Sequence, residues 1–328
     1  MSHFWSGRNV VVTGGAGLVG SHLCDLLVHA GAKVLVIDDF SKGTRSSLKH
    51  LEGKIRIQEG DLCQPNIAES FFAGQEIVIH LASRAYGIAY SPNHHDEMLT
   101  FNRTLNKRVL EACAQCKPER ICVVSSSCVY PDDAPSPTPE LPVMTGEPEK
   151  ANIGYGWAKR ELEMEASQLA VKTGIGVAIV RPFNAYSGRY KWEGGYSHVI
   201  PMLIKRILDG EDPLVVWGSG NQTRNFLHAI DFARCFLAVT EHHAAADPVN
   251  VGYEETIRIA DLAALICELS GHHPHLVFDT SKPEGRMIKS ADSTKLRRVT
   301  HGIQPTISLR EGIREMIDWY YRNFSHSA

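Results

Sequence analysis

A glycine-rich segment after the first β-branched run constrains the fold of this chain more than any other feature. Asn9–Thr13 has the composition of a short strand buried on both faces, and a helical pattern begins at Leu18. Between them lies Thr-Gly-Gly-Ala-Gly-Leu-Val-Gly, in which Gly14, Gly17 and Gly20 are spaced three residues apart. Glycines at this spacing allow a tight turn and close packing of the helix on the strand. The pattern predicts the opening unit of a parallel sheet.

The rest of the first half repeats the alternation of strand and helix. Strands are predicted at Lys33–Ile37, Ile55–Glu59, Glu76–His80, Arg120–Ser125 and Gly176–Arg181. Helices are predicted at Leu18–Ala30, Glu97–Cys116 and Tyr155–Lys172. This order is typical of an α/β protein with a doubly wound parallel sheet, the Rossmann arrangement.

An acidic residue follows the second predicted strand. Asp38 lies eighteen residues past Gly20, and Asp39 comes next. The N–H groups of a glycine turn and of the helix after it bind a pyrophosphate, and an acid at this distance accepts hydrogen bonds from a ribose. The same acid repels a 2′-phosphate, so the sequence predicts NAD rather than NADP as the cofactor.

Further cofactor contacts are expected where predicted strands end, because ligands bind doubly wound sheets at that edge. The residues are Leu18 and Val19 in the turn, Asp61 and Leu62 after the third strand, and Leu81, Ala82 and Ser83 after the fourth. We expect His80 to pack or hydrogen-bond locally instead of taking part in chemistry.

Tyr155 and Lys159 are four residues apart on a predicted helix and therefore share one face. An ammonium group beside a phenol lowers the phenol's pKa, which would make Tyr155 a general base. A serine hydroxyl from the neighbouring strand end could share the substrate proton.

The second half of the chain changes character. Residues 1–182 are expected to form the dinucleotide-binding domain, with residues 225–252 returning to it. Residues 183–224 and 253–328 are expected to form a smaller α/β substrate lobe. Helices are predicted there at His198–Leu208, Ile259–Leu269 and Leu309–Asn323, with Phe226–Glu241 and a strand at Val249 in the returning segment. Pro131–Lys150 contains six prolines and is interpreted as a surface lid or excursion near a site.

Composition excludes several classes of protein. Lys and Arg number 34 and Asp and Glu 37, a net charge of −3 at pH 7, so the chain lacks the basic field that nucleic-acid binding needs. No apolar run is long enough for a membrane helix, and no secretory signal or metal-ligand spacing is recognisable. The eight scattered cysteines fit free thiols in the cytoplasm.

Several segments together resemble the extended short-chain dehydrogenases/reductases that act as nucleotide-sugar epimerases and dehydratases. The resemblance covers nearly the whole length. It rests on the glycine-rich turn, Gly60-Asp-Leu, His80-Leu-Ala-Ser, Ser125-Ser-Ser-Cys-Val-Tyr, Tyr155-x-x-x-Lys159, Arg181-Pro-Phe-Asn, and Trp217-Gly-Ser-Gly-x-x-x-Arg-x-Phe.

This resemblance implies bound NAD, a catalytic triad of Ser126, Tyr155 and Lys159, and a diphosphate-linked sugar held by the C-terminal lobe. Asn184 and Arg224 would grip the diphosphate. Further implied contacts are Asn102, Ser125, Tyr155 and Lys159 to the cofactor, and Gly87, Ser126, Trp217 and Arg286 to the substrate. The family also implies a homodimer through helices Glu97–Cys116 and Tyr155–Lys172.

The surroundings of the triad indicate the subgroup. The 4,6-dehydratases carry Asp-Glu just after the catalytic hydroxyl, where this chain has Ser127 and Cys128. Cys-Val-Tyr-Pro is similar to the GDP-mannose 3,5-epimerases and GDP-fucose synthases, in which this cysteine exchanges protons at sugar carbons. The partner acid would be His198, as in the fucose synthases, or Glu193, where the mannose epimerases have lysine.

The implied activity is NAD-dependent epimerisation of a GDP-hexose through a transient 4-keto intermediate, inverting C3, C5 or both. An epimerase–reductase of the fucose synthase type and a simple UDP-sugar 4-epimerase are the alternatives, and a non-catalytic dinucleotide-binding protein is a third. Cys128 could instead be a buried structural thiol, and His198 could cap its helix.

Overall fold

The computed structural model describes residues 3–87, 90–192, 198–282 and 284–324. Its strands are β1 Asn9–Thr13, β2 Lys33–Asp38, β3 Arg56–Glu59, β4 Ile77–His80, β5 Arg120–Val124, β6 Gly176–Pro182, β7 Asn184–Tyr186, β8 Leu214–Trp217, β9 Thr223–Arg224, β10 Phe226–His228, β11 Val249–Val251, β12 Ile257–Arg258, β13 Leu276–Asp279 and β14 Ile288–Lys289. Seven of them form one parallel sheet in the order β11-β6-β5-β4-β1-β2-β3.

The described helices are α1 Leu18–His29, α2 Ile67–Phe72, α3 His95–Cys116, α4 Ile153–Thr173, α5 Val199–Leu208, α6 Ala229–His242, α7 Ile259–Ser270, α8 Thr294–Val299 and α9 Leu309–Phe324. Short 3-10 turns cover His3–Trp5, Arg45–Leu51, Ser91–Asn93, Ser127–Val129 and Lys150–Asn152. The ends of the strands and helices predicted from the sequence lie within two residues of the observed bounds, with one exception. The helix predicted to begin at Phe226 begins at Ala229, because the first three residues pair with β7 as β10.

Helices cover both faces of the sheet, which confirms the doubly wound α/β fold. Strand residues alternate between the two cores: Val10 and Val12 pack with α1 and α6, whereas Val11 packs with α3 and α4. All three valines are fully buried, as their uninterrupted apolar sequence predicts for a sheet covered on both sides.

The C-terminal part has its own core, built from α5, α7 and α9 around β8 and β13. Ile204, Ile266 and Met316 are completely buried there. In the returning segment, β11 pairs with β6 and α6 packs against α1. The main sheet therefore presents its carboxyl edge to the C-terminal core, and the two enclose a cavity. None of the helices within the described ranges combines the length and apolarity needed to cross a bilayer.

Most of the Pro131–Lys150 segment lies on the surface and its end reaches the cavity, as predicted, but hydrogen bonds fasten it to the body of the protein. The buried guanidinium of Arg160 donates to the carbonyls of Val129, Thr145 and Gly146. Thr138 is fully buried and its N–H donates to the carbonyl of Ser290, 3.0 Å away. The segment thus holds a fixed position between the main sheet and the C-terminal core.

A buried ion pair joins α4 to β6. Arg181 donates from Nε and Nη2 to the two carboxylate oxygens of Glu163, at 2.8 and 2.6 Å, and both side chains are at most 2% exposed. Ser125 donates to the same carboxylate, and Arg181 also donates to the hydroxyl of Tyr130. Every charged atom of the pair therefore has a partner, which burial of charge requires.

Replacing Glu163 by Gln is expected to lower the free energy of unfolding by about 3–5 kcal/mol, because Arg181 is left buried without its counter-charge. Glu161→Gln is the matched control on the same helix. Its partner Arg103 is 56% exposed, so this change is expected to cost less than about 1 kcal/mol. Urea unfolding followed by circular dichroism measures both. Equal losses in the two variants would contradict the assigned importance of the buried pair.

Candidate active site

A cavity of about 750 Å³ lies at the carboxyl ends of β1, β2, β4 and β5. Its walls come from the glycine-rich turn, the segments after those strands, the start of α4 and the C-terminal lobe. Ser126, Cys128, Tyr155 and His198 all line it. The cavity therefore brings together the predicted cofactor turn and most of the predicted catalytic groups.

The glycine-rich turn fits a dinucleotide. Gly14 has a φ of +69°, and a Cβ added to it would lie 2.7 Å from the backbone nitrogen of Ala82. A Cβ on Gly20 would collide with the carbonyl oxygen of Gly14. Both positions require glycine, because the turn passes close to the residues after β4 and α1 begins directly against the turn.

The carboxylate of Asp38 is fixed at the cavity wall. Its Oδ2 accepts from Ala16 N and its Oδ1 from Phe40 N, each at 2.9 Å. Burial raises the pKa of Asp38, and the two backbone donors oppose that rise. Asp39 lines the same wall, but its carboxylate accepts from the N–H and hydroxyl of Ser41. Of the two acids, Asp38 is therefore the one whose carboxylate is held in place by the backbone at the cavity wall.

The other residues expected near the cofactor divide into two groups. Those that line the cavity are Gly17, Leu18, Val19, Asp61, Leu62, Leu81, Ala82 and Ser83. Asn102, Ser125 and Lys159 lie behind its wall. The buried side-chain amide of Asn102 accepts from the N–H of Arg84 and donates to its carbonyl, and so positions the loop after β4. His80 bonds to Thr13 and Asn106, as expected for a locally packed residue.

The triad residues come from two neighbouring elements. Ser126 follows β5, and its Oγ accepts from Cys128 N at 3.1 Å. Lys159 lies one turn after Tyr155, with Nζ 5.4 Å from the ring centre, and donates to the carbonyl of Val124 at 2.7 Å. The spacing of Tyr155 and Lys159 thus places both against the end of the strand that carries Ser126.

The expected lowering of the Tyr155 pKa is wrong. Burial raises the pKa of Tyr155, and Cys128 adds to that rise. The same desolvation lowers the pKa of Lys159 to about 7.

Two residues that the sequence reasoning missed stand beside Cys128. Lys289, on β14, places Nζ 3.9 Å from Cys128 Sγ and 2.7 Å from Glu149 Oε2. Both side chains line the cavity and are only 7% and 6% exposed. Glu149 ends an irregular proline-rich segment and Lys289 sits in a two-residue strand, so no periodic pattern marks either one.

His198 lines the cavity just before α5 and accepts or donates a short hydrogen bond with the Tyr190 hydroxyl. Its side chain makes no capping bond to α5, so the interpretation as a helix cap is wrong. The pKa of His198 is lowered, because the surrounding protein desolvates the ring and Lys42 and Lys289 bring positive charge near it. Glu193, the alternative acid, lies outside the described residues.

The predicted substrate contacts are partly engaged within the protein. Asn184 donates to the carbonyl of Asn225, and the guanidinium of Arg224 donates to the carbonyls of Thr223, Glu284 and Arg286. Gly87, Asn184, Trp217 and Arg224 line the cavity. Arg286 does not: it is buried and donates to the carbonyl of Ala134.

Comparison with known proteins supports this geometry. The model of the NAD dependent epimerase/dehydratase family matches residues 10–252. A probable GDP-L-fucose synthase 1 of Oryza sativa subsp. japonica is 30% identical over 97% of this chain and 93% of its own length. UDP-glucose 4-epimerase of Thermotoga maritima, solved with UDP-glucose, has a TM-score of 0.87 at 25% identity over 96% of this chain and 99% of its own. MoeE5, solved with UDP-glucuronic acid and NAD, has a TM-score of 0.81 at 27% identity, over 96% of this chain and 100% of its own.

Asp38→Ala is expected to bind NAD about tenfold to a hundredfold more weakly, because hydrogen bonds to a charged acceptor are lost. Binding of NADP should weaken less, since the repelling charge is also gone. Asp39→Ala is the control, with a change of less than about twofold expected because its carboxylate faces Ser41. Titration calorimetry measures the dissociation constants of NAD and NADP and so gives their ratio in each variant. Tighter binding of NADP than NAD by the unaltered protein would overturn the role of Asp38.

Proposed function

Because the chain belongs to the NAD-dependent epimerase/dehydratase family, we propose that it epimerises a nucleoside-diphosphate hexose, a GDP-sugar, by way of a transient 4-ketone. The inverted carbon is C3, C5 or both. The observation that carries this proposal is the position of Cys128: its thiol lines the same cavity as Ser126 and Tyr155, one 3-10 turn from the hydroxyl. A simple 4-epimerase has no use for a thiol there.

The first step is oxidation at C4. NAD, held by the glycine-rich turn and Asp38, would supply the hydride acceptor and donor for C4. Tyr155 takes the proton from the C4 hydroxyl, and Lys159 stabilises the phenolate that this requires. Ser126 donates a hydrogen bond to the same sugar oxygen, which carries more negative charge once the ketone is enolised. We assign the three residues these roles from their common placement at the end of β5.

The second step is proton exchange next to the ketone. A carbonyl at C4 acidifies the hydrogens on C3 and C5, because the carbanion that forms is delocalised onto oxygen. Cys128 removes a proton as the thiolate, and His198 or Glu193 exchanges a proton on the opposite face of the ring. The configuration at that carbon is inverted before C4 is reduced again.

Guanine as the base is supported by the relatives named GDP-L-fucose synthase. Trp217, 38% exposed at the cavity, offers a surface on which a base can stack, although stacking accepts any base. We propose that Arg224 contacts the diphosphate after exchanging some of its bonds to backbone carbonyls, and that Arg286 acts behind it by holding the segment that contains Ala134.

The names of the relatives also favour a second candidate, an epimerase–reductase that consumes a reduced dinucleotide. Incubation of a panel of GDP- and UDP-sugars with the enzyme, in D2O and with and without added NADPH, separates the candidates. A self-contained epimerase incorporates deuterium into the sugar without consuming NADPH. An epimerase–reductase acts on a 4-keto sugar and oxidises NADPH, and a 4-epimerase leaves C3 and C5 free of deuterium.

We also propose that two copies associate through α3 and α4, in the cytoplasm. These helices pack against each other, and Met164 and Val171 on α4 are 38% and 81% exposed. Burial of such apolar groups on a helix pair would stabilise a dimer. Sedimentation equilibrium is expected to give twice the chain mass for the protein, and Val171→Asp is expected to shift it toward the monomer. A monomeric unaltered protein would contradict this assembly.

Cys128→Ser is expected to abolish deuterium uptake at C3 and C5, lowering the rate by about 10²–10⁴-fold, because a hydroxyl is a far weaker base than a thiol. Oxidation at C4 should persist, since Tyr155 and Lys159 are unchanged, and the 4-keto sugar should become detectable by mass spectrometry. Cys116→Ser, at a partly buried thiol at the end of α3 and away from the cavity wall, is the matched control and should behave as the unaltered enzyme. Full deuterium exchange in the Cys128 variant would make the thiol structural and remove the 3,5-epimerase proposal.

A further inference from the structure

The Lys289–Glu149 ion pair beside Cys128 has no role in the steps described above. We propose that Lys289 is a positioning residue that stabilises the thiolate of Cys128, and that Glu149 holds Lys289 in place while limiting that stabilisation. The proposal deepens the proposed function, on which it rests for the use of the thiol as a base.

The three residues form a closed set of contacts. Glu149 N donates to the Cys128 carbonyl at 3.2 Å, and the Glu149 carboxylate accepts from Lys289 Nζ at 2.7 Å. The same Nζ points to Cys128 Sγ, 3.9 Å away. The backbone under Lys289 is fixed because β14 pairs with β9 and the Lys289 carbonyl accepts from Asn225 N at 2.9 Å. The ammonium is therefore held against the sulfur by structure on both sides.

Charge at this distance acts strongly because the side chains of Lys289 and Glu149 are both buried. Burial raises the pKa of Cys128 to about 11, Lys289 lowers that pKa, and Glu149 raises it. An ammonium within about 4–6 Å of an acidic group lowers its pKa by about 1–3 units. Without Lys289 the thiolate would be scarcer still, whereas without Glu149 it would be more abundant.

Other titratable groups face the same region. Tyr155 and Lys159 approach the thiol from α4, and Arg286 from the segment before β14. His198 and Arg224 interact with the ion pair from α5 and β9. These side chains all remain in variants at positions 149 and 289, although Glu149 raises the pKa of Arg224 and Arg286 and Lys289 lowers the pKa of His198. The opposite changes expected of the two single variants therefore distinguish the ion pair from its surroundings.

The protons balance without a further reactant. The Cys128 thiolate takes a proton from the carbon next to the 4-ketone, which leaves a thiol and an enolate. The acid on the opposite face, His198 or Glu193, donates a proton to the carbon and is left deprotonated. The thiol then gives its proton to water and the acid regains one from water, which restores both groups. Lys289 stays protonated and Glu149 stays ionised throughout, so the pair changes the free energy of the thiolate and transfers no proton itself.

Alkylation of Cys128 by iodoacetamide in the full-length protein, without sugar, tests the proposal. The rate is measured at several pH values by mass spectrometry of the Cys128 peptide. Lys289→Met is expected to slow alkylation near pH 8 by about threefold to tenfold, because a lower thiolate fraction outweighs the higher nucleophilicity. Glu149→Gln is expected to accelerate it by a similar factor. Lys289→Arg, which keeps the charge, should restore the rate to within about twofold of the unaltered protein.

Exposed neighbours serve as controls: Glu147→Gln and Lys150→Met should leave the alkylation rate unchanged. If Lys289→Met does not fold, the double variant with Glu149→Gln is neutral at the pair, and it should react more slowly than Glu149→Gln alone. Changes in the same direction for both single variants, or no change, would overturn the proposal. Deuterium exchange into the sugar tests the thiol's part in epimerisation separately, so either idea can fail while the other stands.

Discussion

The ion pair between Arg181 and Glu163 determines how the catalytic elements meet. Glu163 lies one turn beyond Lys159 on α4, and Arg181 lies on β6, the strand next to the one that leads into Ser126. The pair therefore fixes the rotation of α4 relative to the sheet, and with it the direction in which Tyr155 points. Ser125, which donates to the same carboxylate, ties the end of β5 into this arrangement. A loss of charge at either residue is therefore expected to change the orientation of Tyr155 relative to Ser126.

The sheet and the cofactor turn could be predicted from sequence because both depend on local patterns. The valines of β1 are apolar without interruption, and a glycine at position 14 is required by a close approach that recurs in this class of turn. Boundaries were accurate where the apolar period changed sharply, as at the start of α1. They failed at Phe226, since three strand residues running into a helix have no period of their own.

The charged half of the site could not be predicted in this way. Glu149 and Lys289 are 140 residues apart, and the contact between them depends on how the proline-rich segment and β14 fold back over the sheet. Asn102 and Arg286 were expected at the cavity, yet both hydrogen-bond backbone carbonyls behind its wall. A sequence motif identifies which residues recur near a ligand, but it does not separate contact from support.

The hydrogen bond from Cys128 N to Ser126 Oγ has a consequence for the substrates that the site can process. It occupies one lone pair of the hydroxyl, which leaves the hydroxyl hydrogen available to a sugar oxygen. It also ties the hydroxyl and the backbone of Cys128 to one short turn, so the thiol can move relative to the hydroxyl only by rotation of its own side chain. In the reaction proposed above, a sugar held by its C4 oxygen at Ser126 therefore presents a neighbouring ring carbon to the sulfur. Selection in that reaction depends on the number of bonds between the two reacting positions of the sugar.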